Sequence, residues 1–463
     1  MSYESVIQEN LNVFLGEFKR LLRVRSISAD ERYAGELEEA AAFIQDELRE
    51  LGAVVRLLKA GGGAPAVFGE LEGASDRTLL VYAHYDVQPA GSEAFNPAER
   101  GGRIYARGAS DNKGSLMAVI HALRVLLEVD GHLPVGVRLL FEGEEERGSP
   151  HLAEILESNR RLLEADEVLC ADLGGVTEGG TPVIELGLKG ILLIELLADS
   201  SSHPSVPGEE VHSSFAPVVA NPCWLIIDAL ASLREDGRVA VEGFYDDVEE
   251  VDSEALALIE KASPLLSYLS GELEIKSELK PELLRELVLS PTLNVNMIAG
   301  GHVAELQEPR CLQELRGRVK TIVPSWCIAK VDMRLVPSQD PDEIYRLVEA
   351  HVRKRAPGVR LRKQASLKPY RLPWTHPLAE RTIRVAKETY GKEPYVLPNS
   401  RASGGMSLIP YVLKAPMTSF SIGAYGVAHK PSEYIRIRDY AKGIEFYINF
   451  LKASATPTAG DES

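Results

Sequence analysis

The chain has few cysteines, no long apolar run and no excess of positive charge, and each shortage removes a class of function. Its four cysteines, Cys170, Cys223, Cys311 and Cys327, stand far apart without a C-x-x-C spacing. That argues against a thiolate zinc site and a disulfide scaffold, and it makes a reducing cytoplasm the simplest compartment. No stretch of about 18 apolar residues is present to cross a bilayer. Met1 to Leu22 is amphipathic and polar, without the apolar centre of a signal peptide. The net charge of -17 argues against a nucleic-acid footprint and against adsorption to an anionic membrane. Internal repeats and low-complexity segments are also lacking, and the small polar tail from Ala453 to Ser463 is expected to fray.

What remains is an ordinary globular composition in a chain of 463 residues, long enough for two domains. Leu37, Ala41, Ile44, Leu48 and Leu51 repeat at a helical period, with Gly52 as a stop. Thr78 to Ala83, Val135 to Phe141 and Val168 to Ala171 read as buried strands. Leu116, Val119, Ile120, Leu123 and Leu127 share a helical face between the first two. This alternation implies an α/β domain with a mainly parallel sheet covered by helices on both faces. After Gly187 the texture changes to that of an α+β insertion, with strands near 191–198, 292–298 and 329–335 and helices near 218–233 and 342–353. A helix at 378–389 and a strand at 418–422 return to the first texture. The expected division is 1–187 and 373–463 for one domain and 188–372 for the insertion.

The polar motifs stand where strands end, and the carboxyl edge of a parallel sheet is where such proteins gather a site. His84-Tyr85-Asp86 closes the first strand. A neutral imidazole suits zinc, and a nearby carboxylate can orient it through the other ring nitrogen. Asp111 opens the segment Asp111-Asn112-Lys113-Gly114 before a helix. It would serve as an N-cap, or as a carboxylate bridging two metals about 4 Å apart. Glu144, Glu145 and Glu146 follow the next strand. They fit a solvated loop, or a metal ligand beside a general base, since buried adjacent carboxylates need cations. Asp172 follows a third strand, and His429 stands with Glu433 near the end of the chain. Two imidazoles with three or four carboxylates favour zinc, manganese or cobalt over calcium or magnesium. Cys170 reads as a small buried hydrophobe.

In this order, H-Y-D-V-Q-P, R-G-A-S-D-N-K-G, F-E-G-E-E-E-R-G-S and A-H-K-P-S-E resemble the M20 metallopeptidases, above all their dipeptidase branch. The resemblance implies a zinc-peptidase-like catalytic domain with an inserted lid and dimerisation domain. It implies two divalent ions, zinc before manganese or cobalt. One would be held by His84, Asp111 and Asp172, the other by Asp111, Glu146 and His429. Glu145 would be the general base and acid, and Asp86 would orient His84. The Asp111-Asn112 peptide would be cis. Some relatives carry Asp at the position of Asn112, with little change expected. His212 would stabilise an oxyanion in the partner subunit of a homodimer, although Glu210 and Ser214 replace the usual Asp and Gly. Arg334 would grip the substrate carboxylate with its guanidinium fork. Ser403, Gly404 and Gly405 would hold the substrate's C-terminal end, in a loop that departs from the common form. The expected substrate is a dipeptide or short peptide. An N-acyl amino acid, a longer carboxypeptidase substrate and a non-catalytic binding role are the alternatives.

Overall fold

The computed structural model describes residues 1–273, 279–300 and 320–455, so Cys311 and the end of the polar tail lie outside the described residues. The chain divides into two compact units. The first takes in Met1–Leu188, Val251–Leu289 and Tyr370–Ser463, and the second Lys189–Glu250 and Ser290–Pro369.

The first unit is built on a six-stranded sheet. Its strands are β1 (Val54–Leu58), β2 (Ala66–Leu71), β3 (Thr78–His84), β4 (Gly136–Glu142), β5 (Glu167–Cys170) and β6 (Met417–Ser419), in the spatial order β1-β2-β4-β3-β5-β6. Strands β4, β3, β5 and β6 run parallel, while β1 and β2 are antiparallel additions. β3 is apolar on both faces, as a covered parallel strand must be. Leu79, Val81 and Ala83 face one core, and Leu80 and Tyr82 face the other. The first core is closed by helices α1 (Tyr3–Arg23), α2 (Ala34–Glu50), α3 (Lys113–Asp130), α4 (Pro377–Tyr390) and α5 (Ile437–Ser454). The second is closed by the shorter helices Leu152–Ser158 and Leu408–Leu413. The strand order reverses at β3, which has β4 on one side and β5 on the other, and ligand crevices of open α/β sheets form at such reversals.

The second unit has a four-stranded antiparallel sheet, ordered Thr292–Gly300, Trp326–Leu335, Gly190–Asp199 and Arg360–Leu367. Leu192, Ile194, Leu196 and Ala198 alternate inward along one strand, and with Ile226, Ala229, Ile344 and Val348 of two helices they form its core. The sequence reading ran the insertion unbroken from 188 to 372, whereas Val251–Leu289 belongs to the first unit. Its helices bury Ile259, Leu265, Leu284 and Val288 with Val183 and Leu397 of that unit. Sequence texture registers helices and charge there, but not which core the apolar face seeks. No helix among the described residues is long and apolar enough to cross a membrane.

Candidate metal centre

Three parallel strands deliver the first side chains to one edge. β3 ends at His84, which lies opposite Glu142 of β4. Asp172 stands two residues beyond β5, and Glu145 and Glu146 sit in the turn that follows β4. Asp111 precedes α3, whose cap position is held by Asn112, so Asp111 is not the cap. The Asp111-Asn112 peptide is cis. His429 comes from the loop between β6 and α5 and adopts φ 63°.

These residues form two trios that share Asp111. Ligand atoms of His84, Asp111 and Asp172 lie within 4.8 Å of one another, and so do those of Asp111, Glu146 and His429. His84 Nε2 is 3.0 Å from Asp111 Oδ1 and 3.3 Å from Asp172 Oδ1. His429 Nε2 is 3.0 Å from Asp111 Oδ2 and 3.1 Å from Glu146 Oε2. Asp111 thus turns one oxygen to each imidazole.

The surroundings fix these groups. His84 Nδ1 lies 3.1 Å from the Asp86 carbonyl and 3.3 Å from its carboxylate, a pairing that leaves the Nε2 lone pair facing the two aspartates. The buried Asp86 carboxylate does more than orient His84. It accepts hydrogen bonds from the backbone N–H of Glu145 at 3.1 Å and of Glu146 at 2.9 Å, and from Ser28 Oγ at 2.6 Å. Gln88 Nε2 donates to Glu146 Oε2 at 2.9 Å. Glu144 is turned away into a bond with His151 Nδ1 at 2.6 Å. Buried Glu433 accepts from the N–H groups of Gly108, Ser110 and Asp111 and from Arg107, which also donates to the His429 carbonyl. Lys113 is buried with its Nζ on the carbonyls of Leu21 and Val24, tying α1 to the start of α3.

Burial pushes the carboxyls of Glu145, Glu146 and Asp172 up, that of Glu145 well above the usual carboxylate range. Burial acts on Asp111 in the same direction, but its bonds to His429 and His84 outweigh it and hold that group below the usual range. Hydrogen bonds to Asp111 and then Glu146 push His429 up to about 10. Four carboxyl groups therefore crowd the buried His84 imidazole and the exposed His429 imidazole, and Glu146 Oε1 is buried with no hydrogen-bond partner. Crowded acid groups with an orphaned oxygen are the surroundings divalent cations would neutralise, so the donor set fits them.

The other candidates are placed as follows. Gly404 lies against Glu145, since a β-carbon there would stand 3.0 Å from its Oε1, and one on Gly405 would collide with Ser149. Ser403 belongs to the same loop of the first unit. His212 and Arg334 belong to the second unit. His212 is exposed, with Nδ1 3.0 Å from Ser214 Oγ. Arg334, on the strand Trp326–Leu335, has its Nε 3.8 Å from Asp332. The sequence reading missed Ser28, Gln88 and Arg107, whose partners lie 58 to 326 residues away along the chain.

A cluster of imidazoles and carboxylates at the carboxyl edge of a parallel sheet is the donor set of a metal-dependent enzyme. The chain belongs to the peptidase family M20/M25/M40, which it matches over residues 80–453, and it is a metallopeptidase. It is similar to the M20 family metallo-carboxypeptidase Sso-CP2 from Sulfolobus solfataricus, with 36% identity over 96% of this chain and 99% of that one and a TM-score of 0.83. The Cys-Gly metallodipeptidase dug1 of Schizosaccharomyces pombe is 25% identical over 98% of both chains. The Beta-Ala-His dipeptidase of Homo sapiens is 25% identical over 92% of this chain and 86% of its own.

Proposed function

We propose that the chain hydrolyses the amide bond of dipeptides and other short peptides that end in a free carboxylate, with two divalent ions bound. The observation that carries the reading is Asp111 shared between two ligand trios, with Glu145 beside them. His84, Asp111 and Asp172 would hold one ion, and Asp111, Glu146 and His429 the other, with zinc ahead of manganese and cobalt. Bound cations of this kind supply Lewis acidity and make water acidic enough to lose a proton near neutral pH. Glu145 takes the proton of the attacking water and later gives it to the leaving amine, which suits a carboxyl whose proton affinity burial has raised. Asp86 holds His84 and the Glu145-Glu146 turn in register with each other. His212 of the partner subunit would donate to the developing oxyanion, Arg334 would pair with the substrate carboxylate, and the Ser403-Gly404-Gly405 loop would receive the substrate's C-terminal end. Dipeptidase names among the relatives support the short substrate.

A homodimer in the cytoplasm completes the proposal. Phe215, Val218 and Trp224 of the second unit and Ile298 on its edge strand are exposed apolar side chains, and such a surface favours a partner. Carboxypeptidase action on longer chains is the second reading, favoured by the name of the 36% identical solved relative. N-acyl amino acids share the free carboxylate and belong in the same test. Chelated enzyme, reconstituted separately with zinc, manganese and cobalt, is to be assayed against dipeptides, longer peptides and N-acyl amino acids. Dipeptide hydrolysis that chelation abolishes and metal restores is the expected result. Full activity after stripping would overturn the mechanism, and preference for longer peptides or acylated amino acids would replace the substrate.

A further inference from the structure

The resemblance implies little change where some relatives carry Asp in place of Asn112, yet here the amide bonds to two backbone groups at once. Tyr82 of β3 lies opposite Cys170 of β5, and the Ala171 N–H donates to the Tyr82 carbonyl at 2.8 Å. In a parallel ladder the next bond would run from the His84 N–H to the Ala171 carbonyl. The side-chain amide of Asn112 occupies that gap. Its Oδ1 accepts from His84 N at 3.3 Å and its Nδ2 donates to Ala171 O at 2.8 Å, in a fully buried position.

The amide therefore acts as a spliced rung. It keeps both backbone groups satisfied while spreading the ends of β3 and β5 by the width of one carboxamide. The residues at this opening are His84 and Asp172, and Asp111 is covalently next to Asn112. One side chain thus references all three members of the first trio. In the second trio Asn112 adjoins only the shared Asp111, while Glu146 is anchored by Asp86 and Gln88 and the His429 carbonyl by Arg107.

We propose that Asn112 is a positioning residue for the His84-Asp111-Asp172 ion site, selective for that site over the one that His429 completes. This rests on the two-ion reading above. Asn alone among residues of its size both donates and accepts with an amide, whereas an ionised Asp only accepts and would set an oxygen against the Ala171 carbonyl. Leaving that buried carbonyl without its donor disturbs the backbone that carries Asp172.

The test is calorimetric titration of the chelated wild type, N112D and N112A with zinc, and separately with cobalt, alongside thermal melts of each protein. Wild type should take up two ions. The variants should lose about 10- to 100-fold at one class of site, the usual effect of removing an outer-shell partner, and much less at the other, which shares only Asp111 with it. The cobalt absorption spectrum of the weakened site should change while that of the other persists. Wild-type affinity at both sites in N112D would overturn the inference. A parallel fall at both sites with a lowered melting temperature would also overturn it, since that marks a general structural role. N112D keeps the side-chain volume and decides the matter if N112A does not fold. A wild type that binds fewer than two ions would sink the two-ion reading itself, independently of how the variants behave.

Discussion

Asp86 and Glu146 are joined carboxylate to backbone: Asp86 Oδ2 accepts from the Glu146 N–H at 2.9 Å, while Oδ1 accepts from Glu145 N at 3.1 Å. The carboxylate that flanks His84 thus also sets the turn bearing Glu145, the proposed base, and Glu146, a candidate ligand. In Asp86→Asn one oxygen becomes an NH2 that faces an N–H donor. Turnover should fall about 100-fold and ion affinity about 10-fold. Steady-state kinetics and metal titration on the same preparation would check both, and unchanged values would show the turn to be held by other contacts.

Glu145 is not a member of either trio. Glu145→Gln should therefore keep its full metal content while kcat drops by about 10²–10⁴-fold, the usual worth of a general base. Elemental analysis beside kinetics separates this from loss of metal.

Gly404 leaves no room for a side chain. A β-carbon there would stand 2.3 Å from Met406 Sδ and 3.0 Å from Glu145 Oε1. Met406 is buried in the second core and must shift, and the Glu145 carboxylate must give as well. Gly404→Ala should fold with a lowered melting temperature and lose between about tenfold and 100-fold in kcat.

His121 gives the fold a pH response remote from the metal centre. It is buried, its Nε2 lies 2.9 Å from Glu17 Oε2, and the Tyr440 hydroxyl lies 2.9 Å from its Nδ1. Burial pushes its pKa down to about 4, against about 6.5 in an unfolded chain. Between those values the unfolded chain binds a proton that folded His121 refuses. Its contribution to stability is complete above about pH 6.5 and declines as pH falls to about 4, by up to about 3 kcal/mol. Urea midpoints measured across that window should fall with acidity, and His121→Gln should flatten the slope.

The motif residues were legible because each stands at the end of an apolar run, and β3, β4 and β5 carry those ends to one edge. Composition and period could also announce a second unit of different texture. The partnerships that aim the site were not legible. Arg107 with Glu433, Ser28 with Asp86 and Asn112 with Ala171 link distant stretches, and nothing local marks an Asn that replaces a ladder bond. The allegiance of Val251–Leu289 was hidden for the same reason, since its amphipathic helices would suit either core.

The loop carrying His429 and the strand β6 come from the last tenth of the chain, whereas His84 and Asp111 come from its first quarter. During translation the early ligands leave the ribosome long before the imidazole that completes the second trio. A nascent or truncated chain therefore lacks the full ligand set however well its first strands have formed. For a peptide-cleaving protein, this order of assembly makes hydrolytic competence wait until the segment that carries His429 has been made.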